Sequence, residues 1–561
     1  MTRHDSRRRM IAAALVASSL FAVTACTAGE AEPTQSASAS RQPAADKPSA
    51  SPSVTASIAP AQGKADANPP VAFFDPKAHA FMEGPQSPDR QTMHPAGDNK
   101  LFSKAPAGKG MKRYLSRKIS WHRCGEFQCS DIPVPLDWDD PDGPALTLAL
   151  KRKSAKGAAK KATLFINPGG PGGSGQEMVD SFQSSAFPGH DVIGWDLRGT
   201  GASTHVDCGP AKTMDNLFNL DASPDDEAEW NALIRGTRNF ARNCRAHSGR
   251  LLDHVSTIDT ARDLDYLRYL VGDKKLDYLG ISYGTFLGAT YAELYPGRVG
   301  RMVLDSTVNI TNHDTVSQVV GFDRAFGDFA KWCAKRGKQC ALGTSEAQIR
   351  KATLNFLNRL DAHPLKVDGR ELTQSLAATG IALFLYSGKQ AYSYLTAALV
   401  GAMKDGNGGY LLTASDYLNG RGKDGQWETI ASAFPAISCL DQADFGLKHA
   451  RQEWPQEVAK APTLGKALGV APICEVWTAR PAPQLYLTAR GAAPILVLGA
   501  TGDPATPYEQ ATWMAGQLKS GVLLTWRGSG HSAWELGNQC VKKAVEGYVN
   551  DGKMPKDNTV C

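Results

Sequence analysis

The sequence predicts an α/β fold in which a mostly parallel β-sheet carries an inserted helical cap. Three observations predict this fold. Short apolar runs recur with helix-like or glycine-rich segments between them, a serine stands between two glycines directly after one such run, and helical periodicity replaces the strand pattern between residues 306 and 485. Runs that are buried on both faces and separated by helices are typical of parallel sheets.

Seven segments are predicted to form the strands of this sheet. Each is short and apolar, and several are rich in β-branched residues, which is the composition of a buried strand. The segments are Leu146 to Leu150, Thr163 to Asn167, Asp191 to Asp196, Leu276 to Leu279, Met302 to Asp305, Pro494 to Gly499 and Val522 to Trp526.

The stretch from Leu279 to Thr285 reads Leu-Gly-Ile-Ser-Tyr-Gly-Thr and joins a predicted strand to a predicted helix. A strand that turns this sharply into a helix forces strained backbone angles on the central serine. The residues two before and two after it must then lack bulk, and here they are Gly280 and Gly284. The pattern predicts a nucleophile elbow that lifts the Ser282 hydroxyl clear of the sheet.

Two later strands each lead to a residue type that acts together with a serine nucleophile. Asp503 follows the strand that ends near Ala500, and His531 follows the last predicted strand within Gly528-Ser529-Gly530-His531-Ser532. The chain order of serine, aspartate and histidine is that of the α/β-hydrolases. We expect His531 to take the hydroxyl proton and Asp503 to orient the ring. Asp305 is the other carboxylate that directly follows a strand, and it remains open as the acid.

The segment after the predicted strand Thr163 to Asn167 contains five glycines, two prolines and a serine, up to Gly175. In an α/β-hydrolase this loop supplies one backbone donor of the oxyanion hole, and the residue after the nucleophile supplies the other. We therefore predict Tyr283 and either Gly169 or Gly170 as donors. A phosphate-binding loop is the rival interpretation, but the stretch lacks a Gly-Lys-Ser/Thr ending, and a plain flexible loop is the other.

A turn follows the strand that ends at Asp196. We expect Asp196 and Arg198 to form a structural ion pair there, with no part in the chemistry. Further along, Phe322, Phe326, Phe329 and Cys333 repeat at helical spacing, as do Ile349, Thr353, Phe356 and Leu360. This helical insertion is expected to lie over the carboxyl ends of the strands, where it would cover Ser282 and select substrates by size.

The amino terminus predicts export. Three arginines at residues 7–9 precede an apolar run that is too short to span a bilayer comfortably, and the run ends in Val23-Thr24-Ala25-Cys26. This is typical of a lipoprotein signal with Cys26 as the lipidated residue. An ordinary secretory signal, in which Cys26 is incidental, is the alternative, and the sequence does not separate the general export route from the twin-arginine route.

The chain divides into five predicted regions: residues 1–26 as signal peptide, 27–115 as a disordered Ser/Pro/Ala-rich tether, 116–305 and 486–561 as the two parts of the core, and 306–485 as the cap. The 561 residues, of which 42% are apolar, suffice for a large core. The formal net charge of +6 comes without a basic block beyond the first ten residues. Nucleic acid is therefore not an expected partner.

Ten cysteines follow Cys26, and an even number in an exported protein predicts disulfides. Sequence alone leaves the connectivity open, but pairing neighbours gives five short loops: 124 with 129, 208 with 244, 333 with 340, 439 with 474, and 540 with 561. Zinc would require paired CxxC or Cys/His spacing, which these cysteines lack. We predict neither a metal nor a cofactor.

Five motifs together resemble the secreted tripeptidyl aminopeptidases of the proline-iminopeptidase clan. They are NPGGPGGSG, DLRGTGAS, GISYGT, GDPATP and GSGHS, and with the lipobox and cysteines the resemblance covers roughly residues 115 to 561. It implies an α/β-hydrolase fold and a serine exopeptidase that releases short peptides, tripeptides above all, from free amino termini. By motif it assigns Ser282, Asp503 and His531 as nucleophile, acid and base. Pro168 stands where the proline iminopeptidases have histidine, which favours the tripeptidyl branch.

An aminopeptidase must recognise a substrate ammonium, and a buried carboxylate does this best. Asp441, Asp444 and Glu475 are candidates because a disulfide between residues 439 and 474 would bring them together, although surface acids are the simpler interpretation. A carboxylesterase or lipase would use the same catalytic residues. A lipoprotein that only binds peptides is the third class considered.

Overall fold

The computed structural model describes residues 76–82, 87–94, 101–155, 160–311, 315–442 and 444–561. All of them belong to one unit, Ala65–Cys561. The predicted signal peptide, Cys26 and the first part of the predicted tether lie outside the described residues. Within the described ranges, no helix combines the length and apolarity needed to cross a membrane.

A ten-stranded sheet forms the centre of the fold, and a two-stranded hairpin lies in the insertion. In chain order the strands are β1 (His122–Cys124), β2 (Phe127–Pro135), β3 (Ala145–Lys153), β4 (Ala162–Asn167), β5 (His190–Trp195), β6 (Leu276–Ile281), β7 (Val299–Asp305), β8 (Leu365–Val367), β9 (Arg370–Leu372), β10 (Ile495–Gly502), β11 (Gly521–Ser529) and β12 (Thr559–Val560). The sheet order is β1-β2-β3-β5-β4-β6-β7-β10-β11-β12, and β8 pairs with β9.

The sheet is parallel from β5 to β12 in this spatial order, whereas β1, β2, β3 and β5 pair antiparallel. The prediction of a mostly parallel sheet is confirmed, and all seven predicted strands are present. The sequence did not indicate β2, because Pro133 and Pro135 lie inside it and proline argues against a strand interior. In the structure these prolines pair with Thr147 and Ala145 of β3.

Helices cover both faces of the sheet and build the insertion. They are α1 (Lys112–Leu115), α2 (Gly175–Ser181), α3 (Ala211–Phe218), α4 (Glu227–Ser248), α5 (Thr257–Leu270), α6 (Tyr283–Leu294), α7 (Gln318–Ala334), α8 (Glu346–Ala362), α9 (Gln374–Tyr386), α10 (Tyr392–Lys404), α11 (Gly409–Asn419), α12 (Ile430–Asp441), α13 (Leu447–Lys460), α14 (Gly465–Leu468), α15 (Tyr508–Gln517), α16 (Ala533–Leu536) and α17 (Gln539–Asp551).

Strand alternation distributes the apolar side chains between two cores. On β6, Leu276 and Tyr278 join the core beneath α5, α6 and α15, whereas Leu279 and Ile281 join the core beneath α2 and α17. All four of these side chains are almost completely buried. Successive side chains of a strand point to opposite faces, so a strand buried on both faces reads as a continuous apolar run.

The insertion has a core of its own. The periodic residues named in α7 and α8 are all buried, so the predicted helical pattern is correct there. Together with α9, α10 and α11 these helices form a separate apolar cluster. Helix α12 instead joins the main core through Ala433, Ala436 and Ile437. Helix α12 therefore packs this part of the insertion against the main core, and the Cys439–Cys474 disulfide joins α12 to a later segment of the insertion.

The amino-terminal segments pack more closely than the sequence indicated. Met82 N–H donates to the carbonyl of Gln484 at 2.8 Å, and Tyr114 is fully buried. Arg90 donates to the Asp444 carboxylate at 2.6 Å and to the Cys439 carbonyl at 2.8 Å. The prediction that residues up to 115 lie outside the fold is wrong for these segments, because few apolar residues are needed when a buried arginine finds such acceptors.

The predicted disulfides are present, and the connectivity that the sequence left open is that of neighbouring cysteines, namely 124–129, 208–244, 333–340, 439–474 and 540–561. The predicted pairing of Asp196 with Arg198 is wrong. Arg198 instead pairs with Asp263: its Nε and Nη2 each donate to the Asp263 carboxylate at 2.7 Å. Both side chains are completely buried. Asp196 instead accepts hydrogen bonds from Ser174 Oγ at 2.6 Å and Gln176 Nε2 at 2.8 Å, which fixes the start of α2.

Candidate active site

The predicted elbow has the geometry of a sharp strand-to-helix turn between β6 and α6. Ser282 has φ 58° and ψ −125°, a conformation that residues with a side chain rarely adopt. A Cβ atom on Gly280 would collide with the Gly284 carbonyl, and one on Gly284 would lie 2.8 Å from Asn167 Oδ1. The Ser282 N–H donates to the Asp305 carbonyl at 3.0 Å, so β7 holds the turn in place.

His531 and Asp503 are hydrogen-bonded partners. His531 Nδ1 lies 2.9 Å and 3.1 Å from the two carboxylate oxygens of Asp503. The Asp503 side chain is fully buried, and it also accepts from the N–H groups of Ala505 at 3.0 Å and Thr506 at 2.9 Å. Thr506 Oγ1 donates to the same carboxylate at 3.0 Å. A carboxylate held by this many donors fixes the orientation of the imidazole ring and leaves its Nε2 for a reacting group.

Neighbouring strands bring the histidine loop to the nucleophile. Ile281 of β6 pairs with Asp305 of β7, so Ser282 and Ser306 are the next residues at the same sheet edge. Ser532 N–H donates to Ser306 Oγ at 2.8 Å, which attaches the loop carrying His531 to this edge. The three residues predicted as nucleophile, acid and base thus follow β6, β10 and β11 at the carboxyl edge of the sheet, where His531 contacts Asp503.

The environment favours a charged histidine. Burial alone lowers the pKa of His531, but the carboxyl groups of Asp503, Asp305 and Glu535, with Asp503 the largest of them, together raise it above its usual value. The imidazolium formed when the ring accepts a proton is therefore stabilised. This is the property required of a general base that later returns the proton.

The glycine-rich loop after β4 lies directly against the elbow. A Cβ atom on Gly169 would be 2.5 Å from the Ile281 carbonyl and 3.1 Å from the Tyr283 nitrogen. The Gly169 N–H donates to Asn167 Oδ1 at 3.0 Å, so it is already occupied. The N–H groups of Gly170 and Tyr283 have no acceptor among the described residues. Of the two predicted loop donors, the geometry favours Gly170.

The insertion touches each of the loops that carry the candidate residues. The Tyr386 carbonyl accepts from the His531 N–H at 2.8 Å, and the Tyr386 ring meets the imidazole edge-on with centroids 5.2 Å apart. A Cβ atom on Gly172 would lie 3.2 Å from the Ile430 Cα, and one on Gly321 would collide with the Pro504 carbonyl. Sequence reasoning missed Tyr386, because a main-chain acceptor at the end of a distant helix leaves no local signal.

The three candidate acids near the Cys439–Cys474 disulfide have different surroundings. Asp441 accepts from the Thr257 N–H at 2.8 Å and from Thr257 Oγ1 at 2.6 Å, and burial raises the pKa of Asp441 to about 7 despite these bonds. Asp444 forms an ion pair with Arg90 through one carboxylate oxygen, Oδ2, at 2.6 Å. Glu475 Oε2 is buried and has no partner in the described chain, and burial raises the pKa of Glu475.

The same Thr257 hydroxyl connects Asp441 to the elbow, because it is also hydrogen-bonded to the Tyr283 hydroxyl. Asp441 is thus connected through the Thr257 hydroxyl to Tyr283, the first residue of α6. Asp444 and Glu475 form a separate group with Arg90, whose charge acts on both carboxyl groups. Among the described residues, these acids included, no three His, Cys, Asp or Glu side chains converge as a metal site would require.

A serine on a strained elbow, a histidine bonded to a buried aspartate and a glycine-rich loop packed against the elbow define a serine hydrolase of the α/β-hydrolase fold. Residues 461–561 match the family model described as TAP-like protein. The serine protease Hip1 of Mycobacterium tuberculosis is 33% identical over 481 residues, covering 80% of this chain and 91% of that protein. The chain therefore belongs to the TAP-like family of α/β-hydrolases and is a serine hydrolase.

Two further relatives have different names. Carboxylesterase B of Mycobacterium tuberculosis is 34% identical over 477 residues, covering 79% of this chain and 89% of that protein. The tripeptidyl aminopeptidase of Streptomyces lividans is 28% identical over 481 residues, covering 79% of this chain and 86% of that protein. The family therefore includes proteins named for peptide hydrolysis and for ester hydrolysis.

Proposed function

We propose that this protein is an exported serine exopeptidase that releases short peptides, tripeptides above all, from free amino termini through an acyl-enzyme on Ser282. The observation that supports this most is the serine elbow beside the Asp503–His531 pair, together with a helical insertion that contacts the glycine-rich loop, the Asp503 turn and the His531 loop. The names of two relatives, serine protease Hip1 and tripeptidyl aminopeptidase, agree with peptide substrates.

In the proposed reaction, Ser282 Oγ attacks the scissile carbonyl carbon while His531 Nε2 takes the hydroxyl proton. The C–N bond then breaks, and the same proton passes from His531 to the departing amine. A water molecule attacks the acyl-enzyme, with His531 again as the base, and releases the peptide acid. Asp503 holds the ring in position and stabilises the imidazolium in both halves of the reaction.

The tetrahedral intermediate carries a negative charge on the former carbonyl oxygen. The N–H groups of Tyr283 and Gly170 are the proposed donors to this oxygen, since both are free among the described groups and Gly169, the neighbour of Gly170, packs against the elbow. Preorganised donors of this kind cost no reorganisation during the reaction, and each contributes about 3 kcal/mol to the barrier reduction in serine proteases.

The substrate ammonium is proposed to bind near Glu475. Its buried Oε2 is unpaired within the described residues, as is Asp444 Oδ1, but Asp444 holds Arg90 on its other oxygen, and both oxygens of Asp441 are engaged by Thr257. A cation that entered this region would supply the missing partner and a charge-assisted hydrogen bond. Such a site would explain a requirement for a free amino terminus.

The proposed membrane attachment rests on the sequence alone. Cys26 ends a lipobox and is followed by a long polar stretch, so we propose a lipid anchor on the outer face of the membrane. The change Cys26→Ser is expected to release the protein from the membrane fraction or to leave its signal uncleaved. A processed Cys26→Ser protein that fractionates as before would contradict the lipid anchor.

Ester hydrolysis is the second candidate function, and the similarity to carboxylesterase B supports it. The two candidates differ in what they require of the substrate. An esterase needs no ammonium, because an acyl ester binds through its apolar chain.

A tripeptidyl chromogenic amide, its N-acetylated twin, the one- and two-residue amides and a short-chain acyl ester test the proposal. Acetylation removes the charge and donors of the amine, and losing a buried charge pair costs about 2–5 kcal/mol, with tenfold in rate for each 1.4 kcal/mol. We expect the free tripeptide to be preferred at least tenfold. Equal cleavage of the blocked peptide would contradict the exopeptidase, and hydrolysis of the ester alone would select the esterase.

A further inference from the structure

Asp305 contacts both the turn that carries Ser282 and the base loop, which is the loop of residues 530–534 that carries His531. Its main-chain carbonyl accepts the Ser282 N–H at 3.0 Å. Its carboxylate accepts from Ser532 Oγ at 2.8 Å and from the N–H groups of Ala533 and Trp534, both at 2.9 Å. One residue therefore connects the end of β6 to the loop that immediately follows His531.

The base loop obtains most of its support from this residue and its neighbour. The His531 N–H is bound by the Tyr386 carbonyl, and the Ser532 N–H by Ser306 Oγ. The next two N–H groups along the loop are the ones bound by Asp305. Every main-chain donor from His531 to Trp534 thus has an acceptor, and half of these acceptors are oxygens of one carboxylate.

The loop needs this support because its backbone is strained. Ser532 has φ 87° and Ser306 has φ 53°, which are conformations in which a side chain is disfavoured. Such residues persist only when the surroundings hold them in place. Without an acceptor at Asp305, Ser532 would relax toward ordinary backbone angles, and the ring of His531 would move with it.

We propose that Asp305 is a positioning residue for the reaction, holding the nucleophile through its carbonyl and the base through its carboxylate. This rests on the proposed roles of Ser282 and His531. It assigns the two carboxylates at this sheet edge different tasks, since Asp503 orients the imidazole ring and Asp305 orients the backbone that carries it. Asp305 is completely buried and faces three donors, which is the environment of an acceptor.

Asp305 also contributes to the charge around His531. The groups that face the imidazole are Asp503, Asp305 and Glu535, together with the Tyr386 ring from the insertion. All three carboxyl groups raise the pKa of His531, with Asp503 the largest of them. Removing the charge of Asp305 should therefore lower the pKa of the base and move the acid limb of the rate profile to lower pH.

The test compares Asp305→Asn with Asp277→Asn. Asp277 is a buried acid on β6 that accepts the Arg301 N–H at 2.7 Å, away from the carboxyl edge. Each variant is titrated with a fluorophosphonate probe, and kcat and KM are measured per labelled site across pH. For Asp305→Asn we expect at least a tenfold loss of kcat per site, KM within twofold, and an acid limb at lower pH. For Asp277→Asn we expect a lower Tm with an unchanged kcat per site.

If Asp305→Asn does not fold, Ser532→Ala provides the second test, because it removes one of the three bonds to the carboxylate. A smaller loss of kcat at unchanged KM would support the proposal. If whichever of the two variants folds keeps both its kcat per labelled site and the acid limb of its pH profile unchanged, the proposal is overturned. Wild-type protein that neither reacts with the probe nor hydrolyses any substrate would instead overturn the proposed function on which it rests.

Discussion

The carboxyl edge of the sheet and the insertion that covers it differ in how their sequence determines their structure. At the sheet edge, Ser282 is placed by glycines two residues away, and Asp503 is held by Ala505 and Thr506 of its own turn. In the insertion, the contacts that matter come from far along the chain, as with the Tyr386 carbonyl on His531. The turns that carry Ser282 and Asp503 are thus encoded locally, whereas the position of the His531 loop depends on tertiary contacts with Tyr386 and Asp305.

Ser282→Ala is expected to have the largest effect, because it removes the proposed nucleophile and leaves only a small gap. Losses for such residues in serine hydrolases are on the order of 10⁴ to 10⁶ in rate. Hydrolysis of a peptidyl amide and the thermal midpoint are measured together. An unchanged midpoint with more than a tenth of wild-type activity would place the nucleophile elsewhere.

Asp503→Asn tests the second residue of the sheet edge through its pH dependence. Burial lowers the pKa of His531, but Asp503, Asp305 and Glu535 together raise it by more, so the wild-type acid limb should lie above about 6.5, the value of a free imidazole. The substitution removes the raising charge, so the limb should move to lower pH while kcat falls on the order of 10⁴-fold. A limb that stays in place would mean that another carboxylate, Asp305 foremost, acts as the acid.

Arg198→Met and Arg324→Met compare how much a buried ion pair of the core and an exposed ion pair of the insertion contribute to the unfolding free energy. Arg198 and Asp263 are a fully buried pair in the core, so removing the arginine leaves an uncompensated buried carboxylate and should cost about 3–5 kcal/mol of unfolding free energy. Arg324→Met is the matched control, since Arg324 of α7 is 55% exposed and pairs with Glu509 at 2.7 Å. It should cost at most about 1 kcal/mol. Equal losses in denaturant titrations would contradict this distinction.

Glu475→Gln tests the insertion side of the comparison. If Glu475 binds the substrate ammonium, kcat/KM for the free tripeptidyl amide should fall at least tenfold, and ester hydrolysis should be unchanged. Glu453→Gln is the control, because Glu453 is a cap carboxylate that is 57% exposed. Parallel losses on both substrates would show that Glu475 supports the fold rather than the amine.

The sequence predicted what local patterns determine. The seven apolar runs, the elbow glycines and the five neighbouring cysteine pairs each appear in the structure as expected. Strand β2 was missed because its two prolines contradict the usual strand pattern. The partner of Arg198 was also missed, because Asp263 lies on α5 and no spacing in the sequence connects the two residues.

The amino-terminal segment shows the same limit. Arg90 lies in a polar stretch rich in proline, and composition alone places such a stretch outside a fold. Its guanidinium is nevertheless buried against Asp444 and the carbonyls of Cys439 and Ala479, which only the folded insertion brings together. The roles of Ser282, Asp503 and His531 remain predictions that the geometry supports and that kinetics must test.

Product analysis tests the central claim most directly. An unblocked synthetic decapeptide and its N-acetylated twin are incubated with the wild-type protein, with Ser282→Ala as the control, and the products are identified over time by mass spectrometry. The account predicts that the amino-terminal tripeptide appears first from the free peptide, that the next three residues follow, and that the blocked peptide and the control remain intact. Single residues, internal fragments or cleavage of the blocked peptide would contradict it.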